Sequence, residues 1–150
     1  MRTRIAHILT LLLAAAAALS CSKADMSIED MAGNPRVKSI VITGIVTDAQ
    51  NGQPLENITI HFRAYPKDSP DAAPIIIDEV HTNSNGAYTI QTGVEIYYPL
   101  LCTLSAQDSK DIYESKTNQV IVSWSGTSFD SSSGTFVVND CSFQLSKKQE

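Results

Sequence analysis

The sequence predicts an all-β protein whose folded part is a two-sheet sandwich of about seven strands. Two observations carry this prediction. From residue 37 onward, short stretches rich in β-branched residues alternate with clusters of Gly, Asn, Asp, Pro and Ser, as strands alternate with turns. Over the same residues, no long stretch keeps the 3.6-residue apolar period of an amphipathic helix. Strands and turns, rather than helices, are therefore expected.

The first two strands follow from their alternation. Val37–Thr47 is the first strand, and Ala49–Gly52 follows as a turn because Asn51-Gly52 tolerates positive φ. In the next strand, apolar and polar positions alternate: Ile58, Ile60, Phe62 and Ala64 on one face, and Thr59, His61, Arg63 and Tyr65 on the other. This pattern predicts one buried face, with His61 pointing outward.

Turn signals separate the remaining strands. Pro66–Pro74 contains three prolines and two aspartates and is predicted as a loop. Ile75–Thr82 and Ala87–Gln91 bracket Asn83–Gly86, and this arrangement predicts a hairpin. The later strands are Leu100–Ala106, Gln119–Trp124 and Thr135–Leu145.

The first 21 residues have the pattern of an export signal that ends in a lipidated cysteine. A basic start precedes an apolar run over residues 8–19, and small Ser20 stands directly before Cys21, as a lipoprotein signal peptidase requires. The run is shorter than the about 20 apolar residues of a membrane-spanning helix. Ala18 stands where Leu is usual, so a plain secretory signal that leaves Cys21 as a thiol is the alternative. From this pattern we expect acylation at Cys21. Several acyl chains anchor a protein almost permanently.

These boundaries divide the chain into three parts. Residues 1–20 are the predicted signal peptide, residues 21–36 a polar tether, and residues 37–150 a single sandwich domain. Without residues 1–20 the chain has nine basic and 16 acidic residues, a net charge of −7. The acidic residues are scattered, so nucleic acid is not an expected partner. The expected location is the outer membrane, where the lipid holds the protein on either the periplasmic or the cell-surface side.

Two cysteines remain in the folded part. Cys102 shares the strand parity of Leu100, and Cys141 shares that of Phe143, so both are expected to point inward. An oxidising compartment would permit a disulfide between them. Two buried thiols are the alternative, because parity alone does not make two strands neighbours.

Two local patterns resemble a known domain. Thr43-Gly44-Ile45-Val46-Thr47-Asp48 is followed by Gly52-Gln53-Pro54-Leu55-Glu56-Asn57-Ile58, and Thr82-Asn83-Ser84-Asn85-Gly86-Ala87-Tyr88 comes later. Together they resemble the carboxypeptidase regulatory-like domain, an immunoglobulin-like or prealbumin-like (transthyretin-like) sandwich. The resemblance implies that Gly52 and Gly86 close turns and that Tyr88 enters the core beside Ile90. The family's next Gly-aromatic pair does not follow Ala106, so the strand order after that residue stays open.

The whole chain is also similar to small lipoproteins of gut anaerobes, of a radical-SAM-associated type, and this similarity implies no activity. Two enzyme groups have a related fold: hydroxyisourate hydrolases, which end in Tyr-Arg-Gly-Ser, and intradiol dioxygenases, which hold iron with paired Tyr and His. This chain ends in Leu145-Ser146-Lys147-Lys148-Gln149-Glu150, and after residue 20 its histidines are His61 and His81. Neither signature is present, so we expect no enzyme, no cofactor and no metal site.

Two further polar groups carry no predicted chemistry. Asp108, Asp111 and Glu114 offer oxygen ligands, but the glycine-containing ligand pattern of a calcium loop is absent. Ser132 and Ser133 have no local base that would activate a nucleophile. We expect a solvated acidic loop and a serine-rich turn.

Loop aromatics are the predicted contact residues. Tyr97 and Tyr98 precede a proline, and Trp124 and Phe129 flank a polar stretch. Such side chains combine a large apolar body with a polar handle, although Trp124 and one tyrosine would equally plug the end of a sandwich. The function predicted from the sequence is a non-catalytic, lipid-anchored envelope module that binds or assembles with an envelope protein. The alternatives are a surface glycan-binding protein that uses these aromatics and, last, a hydrolase or metal-dependent enzyme.

Overall fold

The computed structural model describes residues 36–123 and 128–149, and the regular elements of these residues are β-strands. They are β1 (Val37–Asp48), β2 (Ile58–Pro66), β3 (Ile76–His81), β4 (Ala87–Ile96), β5 (Leu100–Asp108), β6 (Lys116–Val122), β7 (Phe129–Asp130), β8 (Thr135–Val138) and β9 (Phe143–Leu145). Among the described residues, no helix is long and apolar enough to span a membrane.

The strands form two sheets. One has the order β4-β1-β8-β7, with β9 pairing further along β1, and the other has the order β3-β2-β5-β6. β1 is central in the first sheet, because it pairs antiparallel with β4 and parallel with both β8 and β9. The second sheet is antiparallel throughout. The predicted all-β sandwich is confirmed.

The core is filled by alternate residues of the long strands. In β2 the predicted inward set is at most 2% exposed: Ile58, Ile60, Phe62 and Ala64. The other strands and the β8–β9 connection contribute Val37, Ile40, Ile42, Val46, Tyr88, Ile90, Ile96, Leu100, Cys102, Leu104, Ala106, Val122, Phe136, Cys141, Phe143 and Leu145. Burial of each large apolar side chain contributes about 1.5–3 kcal/mol, so these faces hold the sheets together.

The first strand defines two ends of the sandwich. At the Val37 end, β1 and β5 begin while β2, β4 and β6 end. At the Asp48 end, β1 and β5 end while β2, β4 and β6 begin. The registers fix this arrangement within each sheet, since Val37 pairs with Ile96 and Ile58 pairs with Asp108. The ends of the two sheets match because the hydroxyl of Tyr113, which follows β5, donates to Asp48 at the end of β1. The chain that precedes β1 therefore enters at the Val37 end.

The predicted hairpin across Asn83–Gly86 is wrong. The segment does form a tight turn, in which Gly86 N donates to Asn83 O over 2.8 Å and Gly86 has a φ of +69°. However, β3 pairs with β2 in one sheet, whereas β4 pairs with β1 in the other. The turn is a crossing between sheets.

Thr82 explains why the chain crosses at this point. Its side chain is 2% exposed; its Oγ1 accepts from Ile58 N over 3.0 Å and donates to Leu55 O over 2.6 Å. These bonds fix the end of β3 to the start of β2. They leave β4 to pair with β1.

The last predicted strand is divided into β8 and β9. Between them the backbone of Cys141 passes close to β1, and Cys141 N donates to Thr43 O over 2.8 Å. A Cβ at Gly44 would lie 2.3 Å from Cys141 O, so this close approach requires glycine. The division has a physical cause, because β8 and β9 pair with different sections of β1.

Tyr88 lies in the core beside Ile90, as the sequence predicts, and is 4% exposed. Its hydroxyl donates to Cys141 O, which satisfies the one polar atom that this side chain buries. Burial raises the pKa of Tyr88 well above its usual range. The phenol is therefore a structural donor.

Several predictions lie outside the described residues. They are the signal peptide over residues 1–20, the lipidated Cys21, the tether as far as residue 35, and the environment of Trp124.

Candidate functional site

The outer face of the four-stranded sheet carries the candidate site. Residues at odd positions of its strands point away from the core, because the even positions of β5 and those of β2 from Ile58 to Ala64 are buried, and Val122 is the buried even position of β6. One row runs straight across the sheet, since Glu79 pairs with His61, His61 with Ser105, and Ser105 with Thr117. Directly opposite residues in antiparallel strands have Cβ atoms about 4.5–5.5 Å apart. The row therefore brings four polar side chains from four strands together.

His61 is the centre of this row and is held on both sides. Its Nδ1 lies 3.1 Å from Glu79 Oε2, and its Nε2 lies 3.2 Å from Gln107 Oε1. The His61 side chain is 35% exposed, and that of Glu79 is 51% exposed. A carboxylate on one ring nitrogen orients an imidazole so that the other nitrogen faces a chosen direction. Here Glu79 turns Nε2 toward β5.

An open depression of about 380 Å³ lies beside His61, and its lining is polar: His61, Arg63, Thr103, Ser105 and Gln107. Arg63 lies directly across from Thr103 and is exposed. Among the described residues, the Arg63 guanidinium has no carboxylate partner. Ser105 Oγ lies 2.8 Å from Thr117 Oγ1, so the nearest hydroxyl does not bond to His61. The depression thus places one cation, one imidazole and two hydroxyls at the same surface.

Sequence reasoning placed His61 outward correctly but missed its partners. A signal for them does exist, because β2 and β3 pair antiparallel across the proline-rich loop 66–74. His61 and Glu79 are equally distant from Pro70, the middle of that loop, and they do pair. Treating the loop as a symmetric hairpin connection would have put them opposite one another.

The second histidine lies on the same face but adds no metal site. His81 pairs with Thr59, one place along from the Glu79–His61 pair, and it is exposed. In the part of the chain that the structure describes, no group of three or more His, Cys, Asp or Glu could hold a metal ion.

The Asp48 end carries a second cluster of polar groups. Asp48 is 2% exposed; its carboxylate accepts from Gln50 N at 2.7 Å and from the Tyr113 hydroxyl at 2.9 Å. Lys147 Nζ lies 3.8 Å from the same carboxylate. The backbone donor of Gln50 acts most strongly to lower the pKa of Asp48, and the Tyr113 hydroxyl and the Lys147 charge add to it, against burial.

Asp108 closes the neighbouring turn. Its carboxylate accepts from the backbone of Lys110 (3.0 Å), Ile112 (2.9 Å) and Tyr113 (3.3 Å). Burial alone would raise the pKa of Asp108, but the three N–H donors outweigh it and lower the pKa. Asp111 instead pairs with Lys148. The cluster that the sequence weighed as calcium ligands thus has structural roles in this end.

The predicted contact aromatics have different settings among the described residues, and their contact role stays a prediction. Tyr97 is half-buried beneath the Arg36 guanidinium, 5.1 Å from the ring centre, and Tyr98 is 44% exposed. Phe129 is half-buried and packs against the core. Trp124 lies outside the described residues. Tyr98 is the one of the three described aromatics that presents a large exposed surface.

Cys102 and Cys141 are both free and buried. Both side chains point inward, as predicted. In the structure they are two separate thiols and do not form a disulfide. Burial raises the pKa of the Cys102 thiol to about 12. A thiol with so high a pKa is not a nucleophile at neutral pH.

Comparison with known proteins matches this chain at the level of fold. No family model and no curated protein matches it. The solved 3-chlorocatechol 1,2-dioxygenase of Rhodococcus opacus 1CP matches with a TM-score of 0.52 at 17% identity, over 77% of this chain and 62% of that chain. The catechol 1,2-dioxygenase of Pseudomonas arvilla C-1 matches with a TM-score of 0.50 at 12% identity, over 79% and 55%. The chain spans less than two thirds of either enzyme.

These neighbours contradict two predictions: that the chain is a non-catalytic binding or assembly module, and that it is not an enzyme. The solved proteins with which it shares its sandwich are dioxygenases. The prediction failed because it treated the absence of two enzyme signatures as evidence about every chemistry, whereas one fold hosts many sites. At these identities the likeness shows the fold alone, so chemistry has to be argued from this chain's own residues.

The Tyr88 hydroxyl donates to Cys141 O in the core, whereas His61 and His81 lie on the outer face of the other sheet. Tyr88 and these two histidines are thus apart, and the candidate chemistry is argued from the outer-face depression.

Proposed function

We propose that this chain is an exported lipoprotein of the bacterial outer membrane that carries an acid–base site for a small anionic substrate. Acylation of Cys21 would anchor it, and the sandwich would be a carboxypeptidase regulatory-like domain. The substrate class is an oxyanion, a carboxylate or a phosphate ester. The site is the outer-face depression beside His61.

The lipid anchor is supported by the N-terminal pattern. An apolar run over residues 8–19 leads through Ser20 to Cys21, which is the order that lipoprotein processing needs. The first strand begins at Val37, so 15 residues lie between Cys21 and β1.

Metabolic labelling with palmitate tests the anchor in the full chain. We expect label in the wild-type protein, loss of label in Cys21→Ala, and accumulation of the unprocessed precursor when lipoprotein signal peptidase is inhibited. Cys102→Ala is the matched control, since it removes a thiol from the core and should keep the label. An equally labelled Cys21→Ala protein would overturn the anchor.

A single observation carries the site: an unpartnered guanidinium lies beside an oriented imidazole. Arg63 has no carboxylate partner among the described residues, while Glu79 Oε2 holds His61 at 3.1 Å. Guanidinium groups bind carboxylate and phosphate oxygens through two parallel hydrogen bonds. An anion held by Arg63 would therefore lie against His61.

The residues divide the chemistry between them. Arg63 binds the anion, and the Thr103 and Ser105 hydroxyls donate to its remaining oxygens. Once the substrate displaces Gln107, His61 accepts through Nε2 a proton from a water whose oxygen bonds to the electrophilic phosphorus or carbon. The bond to the leaving oxygen breaks, that oxygen takes the proton from His61, and Glu79 keeps the ring in position. Proton transfer by a positioned side chain contributes typically about 10²–10⁴-fold in rate.

Binding and turnover test the site separately. We would titrate inorganic phosphate and glucuronate into ¹⁵N-labelled protein and assay 4-nitrophenyl phosphate and 4-nitrophenyl glucuronide. Arg63→Ala should abolish the shifts of the depression residues, whereas Lys67→Ala, an exposed cation outside the depression, should keep them. His61→Gln should lose about 10²-fold or more in turnover and keep binding.

Two outcomes would overturn the proposal. Absence of binding to both anions removes the site itself. Binding without turnover of either 4-nitrophenyl substrate removes the acid–base role of His61 and leaves anion capture alone.

A further inference from the structure

Exposed and half-buried apolar side chains form a row on the same outer face, at its Val37 end. Tyr65 pairs with Leu101, and Leu101 pairs with Ile121. Ile75 lies beside the end of β2, because its N–H donates to Ala64 O over 2.8 Å, and Ile77 follows on β3. We call these five residues the apolar row.

The row is unusually exposed for its composition. Ile77 is 70% exposed, Ile121 51% and Ile75 47%. Single exposed apolar residues are ordinary, but a contiguous set marks a surface that contacts something less polar than water. The row therefore requires an occupant.

Addition of a strand from another protein is disfavoured at this place. β3 is the edge of its sheet, and its inward position Asp78 is half-buried with a carboxylate that accepts from Glu79 N over 2.8 Å. An inward-pointing charge and flanking prolines protect an edge from pairing. The exposed side chains, rather than the edge backbone, are thus the feature to explain.

The position of the incoming chain identifies the occupant. Arg36 lies at the same end, where Nη1 is 3.9 Å from Glu95 Oε1 and the guanidinium lies over Tyr97 at 5.1 Å. The next residue, Tyr98, is 44% exposed. Everything that precedes Arg36, including Cys21, is attached at the end that carries the apolar row.

The length of that segment keeps the row close to the lipid. Residues 22–36 number 15, and a chain of that length spans at most about 50 Å even when fully extended. A tether converts surface contact into an intramolecular event at high effective concentration. A weak apolar contact that would fail in free solution can therefore form.

We propose that the domain rests on the bilayer through its apolar row and Tyr98. This inference rests on the proposed lipid anchor. Tyrosine and isoleucine side chains suit the membrane interface, where an apolar body meets a polar boundary. Glu79, His61, Ser105 and Thr117 lie four residues further along their strands than Ile75, Tyr65, Leu101 and Ile121, about 13 Å away, and stay in water. Ile77 pairs with Arg63, so docking places Arg63 at the membrane boundary and His61 in the solvent above it.

A fluorophore sensitive to polarity tests this orientation. The full lipidated chain would be labelled with nitrobenzoxadiazole at Tyr98→Cys and, in a second protein, at Ile112→Cys. Ile112 is the matched control, because its exposure of 48% is close to that of Tyr98 and it lies beyond β5 at the other end. The vesicles would contain phosphatidylethanolamine and phosphatidylglycerol, with and without nitroxide-labelled lipid.

The expected result is a blue shift, a several-fold rise in intensity and nitroxide quenching at position 98, with an aqueous signal at position 112. Ile77→Thr combined with Ile121→Thr should remove the response at position 98 and keep the palmitate label. Ile45→Thr, on the other sheet and 47% exposed, should leave the response intact.

Three outcomes would overturn the proposal. One is an aqueous signal at both positions in a palmitate-labelled protein, which means that the anchor holds and the domain stays off the bilayer. Another is a response at position 98 without vesicles that grows with protein concentration, which assigns the row to a second copy of this chain. Loss of the palmitate label itself would refute the anchor, and the inference with it.

Discussion

The two ends of the sandwich are finished in opposite ways. At the Asp48 end, carboxylates replace water as acceptors: Asp48 takes the Tyr113 hydroxyl, and Asp108 takes three backbone N–H groups. At the Val37 end, isoleucines up to 70% exposed remain on the surface. The first arrangement closes the fold, whereas the second leaves apolar area unburied.

The difference separates residues that stabilise the fold from residues that are free to act outside it. In the described residues, no buried side-chain nitrogen or oxygen lacks a hydrogen-bond partner. The buried polar groups of the Asp48 end thus find their partners within the domain, and removing an acceptor there would leave a donor without one. The Val37 end gains nothing within the domain from Ile77 or Ile121, so substitution there should leave stability unchanged.

Among the residues that finish the two ends, the largest expected effect is at Asp108. Asp108→Ala removes the acceptor of three backbone N–H groups, and each stranded donor costs about 1–3 kcal/mol, less where water reaches it. We expect the free energy of unfolding in urea to fall by about 2–3 kcal/mol. Asp111→Ala is the control, because its side chain is 81% exposed and its pair with Lys148 should contribute at most about 1 kcal/mol. Equal effects at both positions would contradict the comparison.

Acid should lower the free energy of unfolding through Asp48 and Asp108, by an amount between the effects at Asp108→Ala and at the apolar row. The pKa values of Asp48 and Asp108 are both lowered in the fold, so the native state binds fewer protons than the unfolded state. This stability is fully present above the unfolded pKa of about 3.9 and is lost as pH falls toward the folded pKa values. Unfolding in urea, followed from pH 6 downward, should show the midpoint falling below about pH 4.

Asp108→Asn is the variant that sharpens this result. It removes one of the two shifted groups while keeping an oxygen acceptor, so the dependence on pH should become shallower. An unchanged slope would place the acid sensitivity elsewhere in the chain.

The smallest expected effect is at the apolar row. Ile77→Ala should change the free energy of unfolding by no more than about 0.5 kcal/mol, as exposed positions usually do. Ile60→Ala, one strand away on the inner face and 0% exposed, should cost about 2–5 kcal/mol. Chemical denaturation of both variants measures the contrast, and a cost above about 1 kcal/mol at Ile77 would mean that the row supports the fold.

Much of the local structure could be read from the residues in order. Alternation in β2 predicted its buried face, and the burial of Ile58, Ile60, Phe62 and Ala64 confirms it. Asn83–Gly86 predicted a turn, which is present. These features are local, because each is encoded by residues that are neighbours in the chain.

The candidate site was hidden for the opposite reason. The pairing of His61 with Glu79 and Ser105 needs three strands in one register, and no segment carries that information alone. The alternation in β2 predicted that His61 points outward. Without its partners, it was interpreted as an ordinary surface histidine.

The sequence alone located the long strands and the turns between them and the apolar side of β2, since alternation and turn chemistry are local; it did not locate β7 or the division between β8 and β9. It also supplies the N-terminal pattern on which the lipid anchor rests, and that anchor stays a prediction. Only the tertiary structure decided which sheet each strand joins. It sent β3 and β4 into different sheets because Thr82 bonds to the start of β2 while β1 is available to pair with β4. Pairing depends on contacts between residues far apart in the chain, and these are decided only when the whole core is packed.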